Sequence, residues 1–172
     1  IRDRRILFFF EAVLFDAAPR LEAELSRCFE RPWPPRLPAV RFGSWAGGDM
    51  DGNPEVTADS VSLTLRLHRL TALRLLRERV DALARRSSQA DERMLLSAAL
   101  EASLAADERE MPDVAARRPN QHEPFRRKLS FISARLDGAA RGRAHGYRSP
   151  DEMEADLELI RGSASSRRVA DG

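Results

Sequence analysis

The sequence predicts a mainly α-helical chain, and three observations carry that prediction. No glycine or proline occurs between Pro54 and Pro112, a span far longer than the roughly 5–6 residues of an average strand. Within it Leu63, Leu67, Leu70, Leu73, Leu76, Val80 and Leu83 step by three and four, which is the spacing of one helix face. Further on, Ser149-Pro150-Asp151-Glu152 supplies an N-cap serine, a first-turn proline and an N3 glutamate, a full helix entry signal.

The remaining elements follow in order. Arg4-Arg5 and the apolar run Ile6 to Phe10 look like the start of a signal peptide, but Glu11 interrupts the run after five residues. That is too short for a signal core or a membrane span. Ile6, Phe10, Val13, Leu14 and Ala17 instead fit an amphipathic helix. Pro19 either kinks that helix or opens the next, and Leu21, Leu25 and Cys28 carry the stripe onward. Cys28 is expected as a small buried hydrophobe rather than a reactive thiol. Pro32, Pro34, Pro35 and Pro38 force an extended connector. An irregular loop covers Gly43 to Pro54, and Thr57 can cap the long helix that follows. Val61 to Leu67 also alternates like a strand, but the unbroken stripe to Leu83 decides for helix. Ser87-Ser88 breaks it; Ser88 is expected to cap a second helix, with Asp91 in its first turn and Leu96, Ala99, Leu100 and Leu104 on its apolar face. Another helix opens near Glu123 with Phe125, Leu129, Ile132 and Leu136 on one side, and Gly138, Gly142 and Gly146 mark a loop after it. Met153, Leu157 and Ile160 form the stripe of the last helix.

Composition narrows the function classes. At 172 residues, with 42% hydrophobic and 33% charged residues, the chain can build one modest core and is neither a membrane protein nor a disordered tail. A single cysteine cannot form an internal disulfide, which fits a reducing, cytoplasmic setting. Basic residues number 29 against 27 acidic, and only Lys128 among them is lysine. The arginines at 66, 69, 74, 77, 79, 85 and 86 could suggest a nucleic-acid surface, but Glu78 and Asp81 interleave with them and the net charge is +2. A solvated helix face is the better account, so no nucleic-acid partner and no membrane are expected. The chain starts inside an apparent helix at Ile1 and stops at Gly172 without an apolar cap. The expectation is a piece, residues 1–172, of a larger protein.

One segment departs from helical-bundle grammar. Residues 41–59 hold four of the nine glycines, the aspartates Asp49 and Asp51, the Asn53-Pro54 turn and Trp45. Gly47-Gly48 permits close approach of backbone to a ligand or to another segment. A purely structural account is also available: Trp45 as a core plug, the glycines as a tight turn, the aspartates as caps. Two ligand classes fail on the letters. Counting a calcium loop from Asp49, positions 3 and 5 fit, but position 6 is Pro54 and position 12 is Ser60, where glycine and glutamate are needed. No Gly-Lys-Ser/Thr follows for a phosphate loop.

The full string Phe42-Gly-Ser-Trp-Ala-Gly-Gly-Asp-Met-Asp-Gly-Asn-Pro-Glu-Val-Thr-Ala-Asp59 closely resembles the signature of phosphoenolpyruvate carboxylases, in which a Ser-Trp-x-Gly-Gly-Asp-x-Asp-Gly-Asn-Pro-x-Val-Thr block precedes a long helix. Weaker likeness covers most of the chain: the first helix with Phe9, Leu14, Pro19 and Leu25, the Glu123-Pro124-Phe125-Arg126 helix start, and the segment from Tyr147 to Ile160. Met50 departs from the pattern, since many members carry arginine there. The resemblance implies a helical fragment of a larger α/β enzyme built on a parallel (TIM-type) barrel. It implies a carboxy-lyase that joins phosphoenolpyruvate to bicarbonate, giving oxaloacetate and phosphate, an anaplerotic, carbon-dioxide-fixing step that feeds the tricarboxylic acid cycle. The cofactor implied is Mg2+, bound by parts of the enzyme outside this chain; the partners are phosphoenolpyruvate, bicarbonate and the rest of the same polypeptide, which would be a homo-oligomer.

In such an enzyme phosphoryl transfer to bicarbonate yields carboxyphosphate and the pyruvate enolate. Water reaching the enolate would protonate it to pyruvate, so an apolar wall is needed over the reacting carbon. The resemblance assigns that wall to Trp45. Within an active-site-associated segment, residues 41–56, it gives Gly47, Gly48, Asp49, Asp51, Gly52 and Asn53 the shaping of the supporting loop. No catalytic residue and no metal ligand is expected in this chain. The family's Thr-Ala-His-Pro-Thr block and its catalytic lysine have no counterpart here, and His68, His122 and His145 read as packing or surface residues. The chain alone is expected to be inactive. The alternative is a non-catalytic helical interaction module that retains the loop, which carboxylation by the completed polypeptide would exclude.

Overall fold

The structure, a computed structural model, describes residues 7–34, 38–45, 47–49, 51, 54, 56–87, 96–117 and 123–170, with side chains as far as 164. Every regular element among them is helical. They are α1 (Phe15–Cys28), preceded without a break by a π-helical turn (Phe10–Leu14), α2 (Ala58–Arg86), α3 (Ala98–Glu110), α4 (Pro112–Ala115), α5 (Pro124–Arg141) and α6 (Pro150–Ala170). Two compact units divide the chain, residues 1–71 and 72–172.

In the first unit Pro19 lies inside α1, and the helix runs through it. The turn ahead of it is widened, with the Phe15 N–H donating to the Phe10 carbonyl. The chain leaving α1 is tied back to it: Trp33 N–H donates to Ser26 Oγ at 2.8 Å and Ala39 N–H to Glu22 Oε1 at 3.4 Å. Cys28, expected to be buried, is exposed. It is the last helical residue, where the stripe it continues has already turned outward with Leu21 and Phe29. Leu63 is likewise not on a buried face but 55% exposed, whereas Thr64 next to it is 4% exposed. Thr64 is the buried residue in this part of α2, with Ser60 and His68 partly buried four residues to either side, a polar row that apolar periodicity passes over, while Val61, Leu67 and Leu70 are partly buried beside it.

In the second unit α5 is the central helix. Leu129, Ile132, Leu136 and Ala139 face Val80 of α2 and the partly buried Met153, Leu157 and Ile160 of α6. Phe125 and Phe131 face Leu100, Leu104, Met111 and Val114 from α3 and α4 and the residue between them. Each such fully buried side chain contributes roughly 1.5–3 kcal/mol. Leu83, at the end of the expected stripe, is exposed. The helix expected from Ser88 instead starts at Ala98, with Ser97 as N-cap accepting from the Leu100 N–H, so Leu96 lies ahead of it. Ser88 and Asp91 lie outside the described residues. Gly138, expected in a loop, is inside α5. The helix continues to Arg141, where Gly142 at φ 68° terminates it. Gly138 and Gly146 then allow the returning turn to lie on the helix: a Cβ on Gly146 would come 2.3 Å from the Ala139 nitrogen.

Between the two faces of α5 lies a polar cluster that the sequence did not announce. Lys128 is completely buried. Its Nζ donates to Asp107 Oδ2 at 2.7 Å and Ser103 Oγ at 2.8 Å, and lies 2.5 Å from Asp156 Oδ1. Arg135 donates to Asp107 Oδ1 at 2.7 Å and Glu110 Oε2 at 2.5 Å. The Tyr147 hydroxyl donates to Asp156 Oδ2 at 2.5 Å. Three helices, α3, α5 and α6, are thereby joined through buried charge whose hydrogen bonds are filled.

Burial first, then the hydrogen bond to Asp156, hold the Tyr147 hydroxyl well above the ordinary phenol range. A raised folded value means that this contribution to stability is fully present below the unfolded pKa of about 10 and is lost as pH climbs towards the folded value. Tyr147 is the chain's one tyrosine, so near-ultraviolet absorbance reads it directly. Tyrosinate is expected to appear on alkaline titration only together with loss of helical circular dichroism. Ionisation near the ordinary phenol value with the helices intact would refute the buried hydrogen bond.

Candidate functional site

The loop with the unusual composition is held at both ends by the first unit. Phe42 stacks edge-on against Phe10 at 6.3 Å between centroids, and Phe10 in turn lies 6.1 Å from the His68 ring. His68 is thus a packing residue, as its position suggests. At the other end the Thr57 N–H donates to Ser60 Oγ at 2.8 Å while the Ser60 N–H donates to Thr57 Oγ1 at 3.3 Å. This reciprocal cap fixes the start of α2, as the sequence indicates.

Between these anchors the Gly48 N–H donates to the Trp45 carbonyl at 3.2 Å, closing a four-residue turn. Gly47 occupies the third position of the turn with φ 68°, where glycine is favoured because a side chain crowds the backbone. The turn presses on α2: a Cβ on Gly47 would lie 2.1 Å from Thr64 Oγ1. Gly48 has no such neighbour. The Asp51 N–H points to Asp49 Oδ1 at 3.4 Å, so one aspartate helps to order the loop itself. Trp45 is 81% exposed, the most exposed large hydrophobic side chain described. It is not a core plug in this chain.

Trp45, Gly47, Gly48, Asp49 and Asp51 are therefore brought together on one clamped turn, while Gly52, Asn53 and Met50 lie outside the described residues, as does His122. His145 sits in the turn after α5, with its ring against Gly138. Thr64 and Ser60, which form the bed of the loop, were missed by sequence reasoning. Their signal is a row of small polar residues at a spacing of four from the cap. Among the described residues no group of three or more His, Cys, Asp or Glu side chains is placed to hold a metal ion. No helix among them is long and apolar enough to cross a membrane.

Comparison with known proteins adds the family. The profile described as phosphoenolpyruvate carboxylase matches residues 4–170. A phosphoenolpyruvate carboxylase of Xanthomonas euvesicatoria pv. vesicatoria is 34% identical over 166 residues, covering 94% of this chain and 18% of the relative. One from Roseiflexus castenholzii is 36% identical over 137 residues, covering 76% and 14%. One from Mycobacterium leprae is 30% identical over 190 residues, covering 95% and 18%. The chain spans less than a fifth of the length of these curated relatives. No solved structure matches it. With the loop, the long capped helix behind it and nearly the whole chain matched, the chain belongs to the phosphoenolpyruvate carboxylase family.

Proposed function

We propose that this chain is the helical part of a cytoplasmic, homo-oligomeric phosphoenolpyruvate carboxylase whose barrel and catalytic groups lie in the rest of the polypeptide. Its contribution is to present Trp45 to the site that the rest of the polypeptide completes. The observation that carries this reading is the contrast at the loop: the backbone around Trp45 is tied down by Gly47 on Thr64, while the indole itself is 81% exposed. An indole held this way is free to be covered by a substrate or by the completed enzyme.

The reaction proposed is transfer of the phosphoryl group from phosphoenolpyruvate to bicarbonate, leaving the pyruvate enolate. Carboxyphosphate then releases carbon dioxide and phosphate, and the enolate carbon attacks the carbon dioxide to give oxaloacetate. Trp45 serves by excluding water from that carbon, because protonation there ends the reaction at pyruvate. The described residues do not make a metal site, and Asp49 already orders its own loop. The divalent ion that such chemistry uses is assigned to the remainder of the protein, and no step is given to it here.

The test is Trp45→Ala in the full-length protein, following oxaloacetate and pyruvate separately. The expected result is a several-fold rise in pyruvate formed per oxaloacetate, with a lower kcat/KM for phosphoenolpyruvate. An unchanged product ratio and unchanged kinetics would remove Trp45 from the site. A full-length protein with no carboxylation at all would favour the interaction module.

A further inference from the structure

We infer that Phe10 is a positioning residue for Trp45, acting through ring contacts with Phe42 of the loop and His68 of α2. The inference deepens the proposed carboxylase and rests on its reading of Trp45 as the wall over the enolate carbon.

Phe10 stands where three parts of the first unit meet. It opens the π-helical turn ahead of α1, and its carbonyl accepts from the Phe15 N–H. Such a turn holds one residue more than an α turn, which sets the faces on its two sides out of register, and it is frequent at functional sites. On one side the Phe10 ring meets Phe42 edge-on, with centroids 6.3 Å apart and planes at 87°. On the other it meets the His68 ring at 6.1 Å and 44°. Both separations lie within the roughly 4.5–7 Å over which aromatic rings attract. His68 thus acts here by the face of its ring.

Only Gly43 and Ser44 lie between Phe42 and Trp45. Three residues of chain reach at most about 11 Å, so fixing Phe42 bounds where the indole can stand. Gly43 makes the anchor necessary: a Cβ there would meet nothing within 4 Å, and glycine leaves the backbone able to pivot. Phe42 is half-exposed and Trp45 more so, so neither is held by burial in a core. Past Trp45 the turn rests on α2 directly, with Gly47 against Thr64. Thr64 and His68 are one helical turn apart on α2. The segment that carries the indole is therefore held by one face of α2 at two points, once through Gly47 and once through Phe10.

The test uses the full-length protein and two readouts. One is hydrogen exchange of residues 42–48, where the Trp45 carbonyl holds the Gly48 amide; the other is pyruvate formed per oxaloacetate. The second is a ratio per turnover, so a variant that merely loses folded enzyme does not move it. In Phe10→Leu both are expected to rise about two- to tenfold, the factor that one aromatic pair represents. Phe42→Leu, at a half-exposed position, is expected to give the same result should Phe10→Leu fail to fold. The double variant is expected to be no worse than either single one, because the two rings act through each other. His68→Phe keeps a ring and is expected to keep both readouts, whereas His68→Leu is expected to raise them. Phe8→Leu, which removes a ring that pairs with Phe9, is expected to change neither. Unchanged exchange in Phe10→Leu, additive effects of Phe10→Leu and Phe42→Leu, or equal damage from His68→Phe and His68→Leu would overturn the inference. So would faster exchange at an unchanged product ratio in an enzyme whose ratio responds to Trp45→Ala. If Trp45→Ala leaves the ratio unchanged, the reading of Trp45 fails, and exchange at 42–48 alone decides whether Phe10 holds the loop.

Discussion

Replacing Lys128 by methionine is expected to destabilise the cluster formed by α3, α5 and α6 by about 3–5 kcal/mol, the usual result of removing one partner from a buried ion pair. Methionine nearly matches the length and volume of the lysine stem, so the loss does not come from a cavity. It comes from the two carboxylates left behind. Asp107 keeps Arg135, but Asp156 keeps only the Tyr147 hydroxyl of the bonds found here. A Lys128→Met, Asp156→Asn double variant is therefore expected to be more stable than Lys128→Met alone, because it withdraws the uncompensated charge. Amide hydrogen exchange in α3, α5 and α6 reads the effect locally. A loss below about 1 kcal/mol for Lys128→Met, within the range of an exposed pair, would mean that the lysine reaches water and that the cluster is not closed.

That cluster also marks where the sequence stops being legible. The apolar stripe Phe125, Leu129, Ile132 and Leu136 identifies α5 and its buried side correctly. Lys128 lies on the same helix, yet a lone lysine beside an apolar stripe ordinarily lays its stem on the core and its charge in water. Only the convergence of Asp107 and Asp156, 21 residues before it and 28 after it, makes burial possible, and no local pattern encodes that convergence. Helix starts fail for a related reason. The helix that carries Leu100 and Leu104 starts at Ala98 with Ser97 as its N-cap, and packing of those leucines in the core, which no local pattern encodes, sets that start. The loop was the opposite case. Its glycine turn and its cap at Thr57 are legible in the letters alone, because a glycine pair and a capping threonine act over a few residues. The Thr64 contact stays hidden because its row with Ser60 and His68 is polar, and apolar periodicity does not count it.

Gly47→Ala is expected to lower kcat/KM of the full-length protein for phosphoenolpyruvate by more than about tenfold, a change equivalent to roughly 1.4 kcal/mol in the barrier. Two effects act together. An L residue at φ 68° costs roughly 1–2 kcal/mol in backbone strain. The new Cβ would also stand 2.1 Å from Thr64 Oγ1 and 2.9 Å from Thr64 Cβ. The hydroxyl can rotate away, but the Thr64 Cβ is fixed to the backbone of α2, so the turn has to lift. Because the Gly48 N–H holds the Trp45 carbonyl in that same turn, lifting it displaces the indole. Gly48→Ala meets nothing within 4 Å and has no positive φ, so its loss is expected to be much smaller. A Gly47→Ala, Thr64→Ala pair removes Oγ1 and Cγ2 while leaving Cβ and the backbone strain in place, and partial recovery is expected. Equal effects of Gly47→Ala and Gly48→Ala, or no recovery in the pair, would show that contact with Thr64 is not what holds Trp45.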